Sequence, residues 1–226
     1  MKKYMLTETV KEFFGVKLYQ IKALRDIEEL DVEEGELGGW VESDRNLDQE
    51  GDAWVSGDAQ VSGDARVSGD ARVSGDARVS GDARVFGDAR VFGNAWVSGD
   101  AQVSGNARVF GDAQVSGNAW VSGDAQVSGN ARVFGDAQIQ SRKNIFWASY
   151  VGSESGTLTA YTIKTGEIEV TRGCFRGTLG EFETAVLDRH NGSRHSAEYL
   201  VLVEYIKLRF REVTVSVEED TEATTQ

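Results

Sequence analysis

Proline is absent from the 226 residues, cysteine occurs once, histidine twice, and 24 Lys and Arg face 37 Asp and Glu. Each shortage excludes something. Without proline no strand loses a ladder donor, which suits a body built from backbone ladders. A single cysteine, Cys174, rules out an internal disulfide framework. The net charge of −13 argues against general binding to a phosphate backbone, which needs Lys and Arg, so no direct nucleic-acid binding is expected. No apolar run approaches a membrane span, so no membrane partner is expected. The start, MKKYMLTETVKEFF, carries Lys2 and Lys3 but no apolar core, and is read as mature cytoplasmic protein rather than a signal peptide.

Glycine is abundant, and it is periodic. Residues 51–140 are fifteen hexapeptides in unbroken phase, from GDAWVS to GDAQIQ. Position 1 is Gly, position 2 Asp or Asn, position 3 Ala, and position 5 Val, except for Ile139. A fixed short period decides architecture before anything else. Ala-x-Val puts two apolar side chains on one side of an extended segment. Gly followed by Asp or Asn supplies a corner, since these residues tolerate positive φ. A strand and a corner every six residues is too short for hairpins. It suits a coil of three strands stacked on the next coil, about 4.8 Å away. Fifteen units make five coils, a prism about 24 Å tall. One Gly in every six residues excludes helix.

An aliphatic residue with a small residue two before it, every six residues, resembles the bacterial hexapeptide-repeat proteins. That resemblance implies a left-handed parallel β-helix; the handedness comes from it alone. The flanks, GELGGWVESDRNL before GDAWVSGDA and GCFRGTLGEFETAV before a Tyr-containing helix, resemble a type of protein encoded in bacteriophages and prophages. This implies a phage origin and the hexapeptide fold rather than a mechanism.

Four segments are expected. Residues 1–36 form a small N-terminal β module, with strands over Tyr4–Thr9 and Val16–Leu24 and a hairpin near Phe14-Gly15. Residues 37–140 form the β-helix. Its first rungs are degenerate: Val41 and Leu47 keep the spacing, then two residues are inserted before Val55. Residues 141–211 read as a small α+β domain, with strands over Ile145–Val151, Thr157–Ile163 and Glu167–Thr171. A capping box at Thr178–Glu181 opens a helix to Asp188, and a second helix covers Ser196–Phe210. Residues 212–226 read as an acidic, disordered tail.

Acyl transfer, the common activity of hexapeptide proteins, needs a general base, usually His. The repeats contain none; His190 and His195 both lie after them. Three-histidine zinc sites need one more than the chain has. Cys174, His190 and His195 match no metal spacing, and Cys174 beside Arg172 and Arg176 is a candidate low-pKa thiol. Columns of Asp at the corners could hold Ca²⁺, but Asn interrupts them and relieves a repulsion of about 1 kcal/mol per neighbouring pair. No cofactor or metal is expected.

Positions 4 and 6 should face outward. They carry Trp54, Trp96, Trp120, Phe86, Phe92, Phe110 and Phe134, which need cover. On one face Phe92 and Phe110 should stack beside a column of Arg72, Arg90 and Arg108. Arginine with aromatics is the composition of interface hot spots. Three readings stay open: stacking that staples coils, homo-oligomerisation (a trimer by analogy of fold), or a site for a host protein or an anionic ligand. The expectation is a non-enzymatic phage protein that acts by contact, in host takeover or anti-defence. The alternatives are sequestration of an anionic nucleotide, nucleic-acid mimicry by the acidic columns, and an acyltransferase-like enzyme.

Overall fold

A computed structural model describes residues 2–222, with side chains through residue 211. Fifteen two-residue strands, β4 to β18, run from Trp54–Val55 to Gln138–Ile139, one in each hexapeptide. They stack in parallel with an eighteen-residue offset, as in Arg72 to Arg90 to Arg108. The result is a three-faced parallel β-solenoid. The first face carries Gln60, Arg78, Trp96, Gln114 and Arg132; the second Trp54, Arg72, Arg90, Arg108 and Gln126; the third Arg66, Arg84, Gln102, Trp120 and Gln138.

The interior is the row of Ala and Val, each at most 1 % exposed. Space between three closely spaced walls is tight, which is why the repeat varies mainly outside, with Ile139 of the last coil the one larger residue at position 5. Glycine at the corner answers two demands at once. Gly75 has φ 69°, and a Cβ there would stand 3.1 Å from the backbone nitrogen of Gly93 in the next coil.

The degenerate rungs are real. β3 (Leu37–Val41) pairs in parallel with Gln60–Val61, and Leu47 bridges Val67. Both offsets are two residues longer than the later ones, so the inserted residues bulge before Val55. β1 (Tyr4–Phe13) and β2 (Val16–Ala23) form the expected hairpin about Phe14 and Gly15, both at positive φ. β2 then pairs antiparallel with β3. The N-terminal strands thus continue the first face of the solenoid.

A parallel ladder has unlike ends. The N–H groups of positions 4 and 6 donate forward to the next coil, as from Arg90 to Ala107 O (2.9 Å) and from Phe92 to Val109 O (3.0 Å). The first coil is therefore left mainly with carbonyls that need donors, and the last mainly with N–H groups that need acceptors. The N-terminal segment supplies donors. Asn46 Nδ2 donates to Gly63 O and Ala65 O, at 2.9 and 3.0 Å. Lys3, fully buried, sends Nζ to Glu50 O and Gly51 O (3.3 Å each) and to Ala53 O (2.8 Å). Burial lowers the Lys3 pKa to about 8, against the pull of Asp48.

The far end is closed by an antiparallel sheet of β19 (Ile145–Val151), β20 (Gly156–Thr162), β21 (Ile168–Arg172) and β22 (Phe175–Thr178). Side chains of β20 alternate cleanly. Leu158 and Ala160 join the core under α1 (Leu179–His190) and α2 (Arg194–Glu222), while Thr159 and Tyr161 meet the last coil. Thr159 Oγ1 accepts from Arg132 N (3.0 Å) and Tyr161 Oη from Phe134 N (3.1 Å); Thr171 Oγ1 donates to Arg132 O (2.9 Å). Hydroxyls suit this end because they both accept and donate.

The capping box of α1 forms as expected, with Thr178 and Glu181 bonding reciprocally. α1 runs two residues past the expected end, to His190. α2 overruns its expected end at Phe210; the tail expected over residues 212–226 falls beyond the described side chains, and residues 223–226 lie outside the described residues.

Candidate interaction face

The second face brings together most of the residues picked out by the repeat. Arg72, Arg90 and Arg108 are in register on adjacent strands. The rings of Phe92 and Phe110, at the following corner, stack with centroids 4.9 Å apart and planes within 2°. Eighteen-residue periodicity alone produces this: identical positions in successive coils lie one strand spacing apart. Arg90 and Arg108 are exposed, and the two rings are half-buried.

The upper part of the column is occupied. Trp54, expected outside, is 3 % exposed. It points outward but lies under β3, where a Cβ on Gly38 would be 2.8 Å from its ring; only glycine permits that approach. Its Nε1 is buried and has no partner among the described residues. Arg72 donates through Nη2 to Glu29 O at 3.0 Å, tying a turn of the N-terminal segment to the face. The available patch is thus Arg90, Phe92, Arg108 and Phe110.

The other expected aromatics lie elsewhere. Trp96 is on the first face, 45 % exposed, with Nε1 donating to Ser80 Oγ at 3.4 Å. Trp120 is on the third, 46 % exposed, with the same bond to Ser104 Oγ at 3.3 Å. Each indole folds back over the preceding coil. Phe86 and Phe134 are half-buried at the two remaining corners, and the Phe134 backbone belongs to the C-terminal cap. Position 6 is therefore a partly covered corner site rather than a fully outward one.

At the Asp corners, Asn94 Nδ2 donates to Asp112 Oδ1 and Asn118 Nδ2 to Asp136 Oδ1, both at 3.0 Å. Asparagine here turns a repulsion into a hydrogen bond. Among the described residues no group of three or more His, Cys, Asp or Glu could hold a metal ion. Cys174 is an exposed free thiol. His195 Nδ1 lies 3.7 Å from Glu198 Oε2.

Two features have no local signal in the sequence. The hairpin tip folds over the first face, and the Arg78 guanidinium sits 4.6 Å above the Phe13 ring. Phe13, Val16, Leu18, Arg78 and Trp96 line an apolar groove of about 160 Å³ there, beside Phe14, which is 90 % exposed. The second is a cavity in the C-terminal domain that unites Arg172, Cys174, Arg189 and His190. Both depend on contacts between segments far apart in the chain.

The hexapeptides are similar to the YdcK beta solenoid repeat family, whose model matches residues 59–75, 71–85, 83–99, 101–113, 113–125 and 125–140. No curated protein matches the chain. Among the described residues no helix is long and apolar enough to cross a membrane.

Proposed function

We propose that this chain is a non-enzymatic, phage-encoded interaction protein of the bacterial cytoplasm. It assembles with copies of itself through the second face and presents the rigid solenoid to a host protein. The observation that carries the reading is the stacked Phe92–Phe110 pair beside exposed Arg90 and Arg108. Paired aromatics flanked by arginines on a rigid flat sheet suit the centre of a protein interface, where such anchors dominate affinity. The matching family is described by its repeat, not by a reaction. Sequestration of an anion by the same column begins from two exposed guanidiniums rather than three, since Arg72 is engaged by Glu29 O.

Native mass spectrometry of the gently purified protein tests this. The wild type should be oligomeric, and Phe92→Ser with Phe110→Ser should reduce it to monomers with an unchanged circular dichroism spectrum. A monomeric wild type, or a double variant that assembles normally, would remove the second face as the contact.

A further inference from the structure

The C-terminal cavity stands apart from that face, on the domain that caps the last coil. Its volume is about 150 Å³, and it is bounded by the β19–β20 turn, the β21–β22 turn, α1 and Tyr199 of α2. Arg172 lines it and is almost wholly withdrawn from water, with its side chain 8 % exposed. One guanidinium nitrogen, Nη2, donates to Val151 O at 2.8 Å. Nη1 stands 3.8 Å from Glu154 Oε2, on a side chain that is itself 78 % exposed. Nε is buried with no hydrogen-bond partner among the described residues. A buried, unsatisfied donor on a cation is costly, so this arrangement favours an acceptor arriving from the cavity.

Part of the wall is aromatic. Phe175 meets Phe182 edge-on at 5.2 Å, Phe182 meets Tyr199 edge-on at 5.4 Å, and His190 lies 6.0 Å from Tyr199. The Arg172 guanidinium carbon is 5.8 Å from the centre of the Tyr199 ring. At the rim stand Arg189 and Cys174, both exposed. Two arginines against Glu154 leave a single formal positive charge. The volume is roughly that of five waters, room for a small ring.

We propose that this cavity binds a small planar monoanion, an aromatic carboxylate in chemical class. Its carboxylate would pair with Arg172 and Arg189, and its ring would lie among Phe175, Phe182 and Tyr199. Carboxylate oxygens fit the planar donor edge of arginine better than a point charge does. The aromatic walls select a ring over a bare inorganic anion.

The chain's only thiol, Cys174, reports occupancy without any assumed activity. The experiment measures the rate of Cys174 alkylation by iodoacetamide, by mass spectrometry of the intact full chain, against rising benzoate. Benzoate should slow labelling saturably, whereas benzyl alcohol and inorganic phosphate at equal concentration should not. Arg172→Met should raise the half-saturating concentration about tenfold or more. Arg189→Gln, at the exposed rim, should raise it roughly two- to fivefold. No protection by benzoate, or equal protection by benzyl alcohol or phosphate, overturns the proposal. If Arg172→Met does not fold, Arg189→Gln decides alone: an unchanged half-saturation refutes the site.

Discussion

Each hexapeptide forms one side of the prism, so adding one should turn everything after it by about a third of a turn. The informative place is between Phe92 and Phe110. A second copy of the Gly99–Ser104 hexapeptide, inserted after Ser104, adds one more buried Ala and Val of the kind already filling the interior. It also moves Phe110 to the neighbouring corner, above Ser98, and leaves Phe92 facing the inserted serine. The stack at 4.9 Å is lost, worth about 0.5–1.5 kcal/mol. The caps stay whole: hydrogen bonds from the N-terminal segment reach no further than Arg72, and those of the C-terminal sheet begin at Arg132. The spectrum and cooperative urea unfolding should therefore persist, with stability changed by no more than about 2 kcal/mol. Native mass spectrometry should show the oligomer dissociated, although no side chain of the face has been replaced. Loss of cooperative folding would refute the independence of coils. An intact oligomer would refute the stacked pair as its contact.

Lys3 gives a pH signature. Its folded pKa of about 8 lies below the ordinary lysine value of 10.5, so between these values the unfolded chain holds the extra proton and stability rises with pH, by up to about 3 kcal/mol. Urea midpoints at pH 8 and pH 10 should differ by less in Lys3→Met than in the wild type; an equal difference would show that Lys3 does not titrate there. Tyr161→Phe strips the acceptor from Phe134 N and the donor from Glu169 Oε1, and should lower stability by about 1–3 kcal/mol in thermal or urea unfolding, whereas Tyr150→Phe, at an 84 % exposed site, should do nothing. Removing residues 141–226 bares one end only, so light scattering should find closed, small species, while residues 52–140 alone should grow filaments with a repeat of about 4.8 Å.

The body of the fold was legible because a narrow interior leaves one choice per position: Ala at the third and Val at the fifth, every six residues. The same regularity places Phe92 beside Phe110 in neighbouring coils. Thr178 and Glu181 announced α1 because a capping box is local chemistry. What escaped was non-local. β2 shows mixed residues on both sides, and its partner β3 could not be read from it. Trp54 has the pattern of an outward residue; only the glycine at Gly38, on another strand, reveals that something lies over it. Lys3 sits at 0 % exposure against every compositional expectation for lysine, because the carbonyls it serves belong to residues 50–53. β22 was missed, being four residues long with a glycine inside it. The cavity around Arg172 draws on four segments, and its cysteine and histidine were visible only as isolated residues.

The unlike ends of the ladder bear on how copies can meet. A bare first coil presents mainly carbonyls and a bare last coil mainly N–H groups, so uncapped copies would join end to end without limit. Here each row is engaged internally: by Lys3, Asn46 and the backbone N–H groups of Trp40, Glu42 and Asp48 at one end, and by Thr159, Tyr161 and Thr171 around Arg132 and Phe134 at the other. Their chemistry is not interchangeable, since an ammonium can only donate whereas the last coil also needs acceptors. With growth along the axis opposed at both ends, the proposed association would fall to the flanks of the prism. The corners carry Asp columns, and the net charge of −13 opposes close approach. A flank that overcomes this must bring arginine and apolar area together. Among the three faces, the second does so in consecutive rungs, with Arg90 and Arg108 beside the stacked rings. The capping that makes the solenoid finite would thus direct the proposed contacts sideways, to the face where consecutive arginines flank the stacked rings.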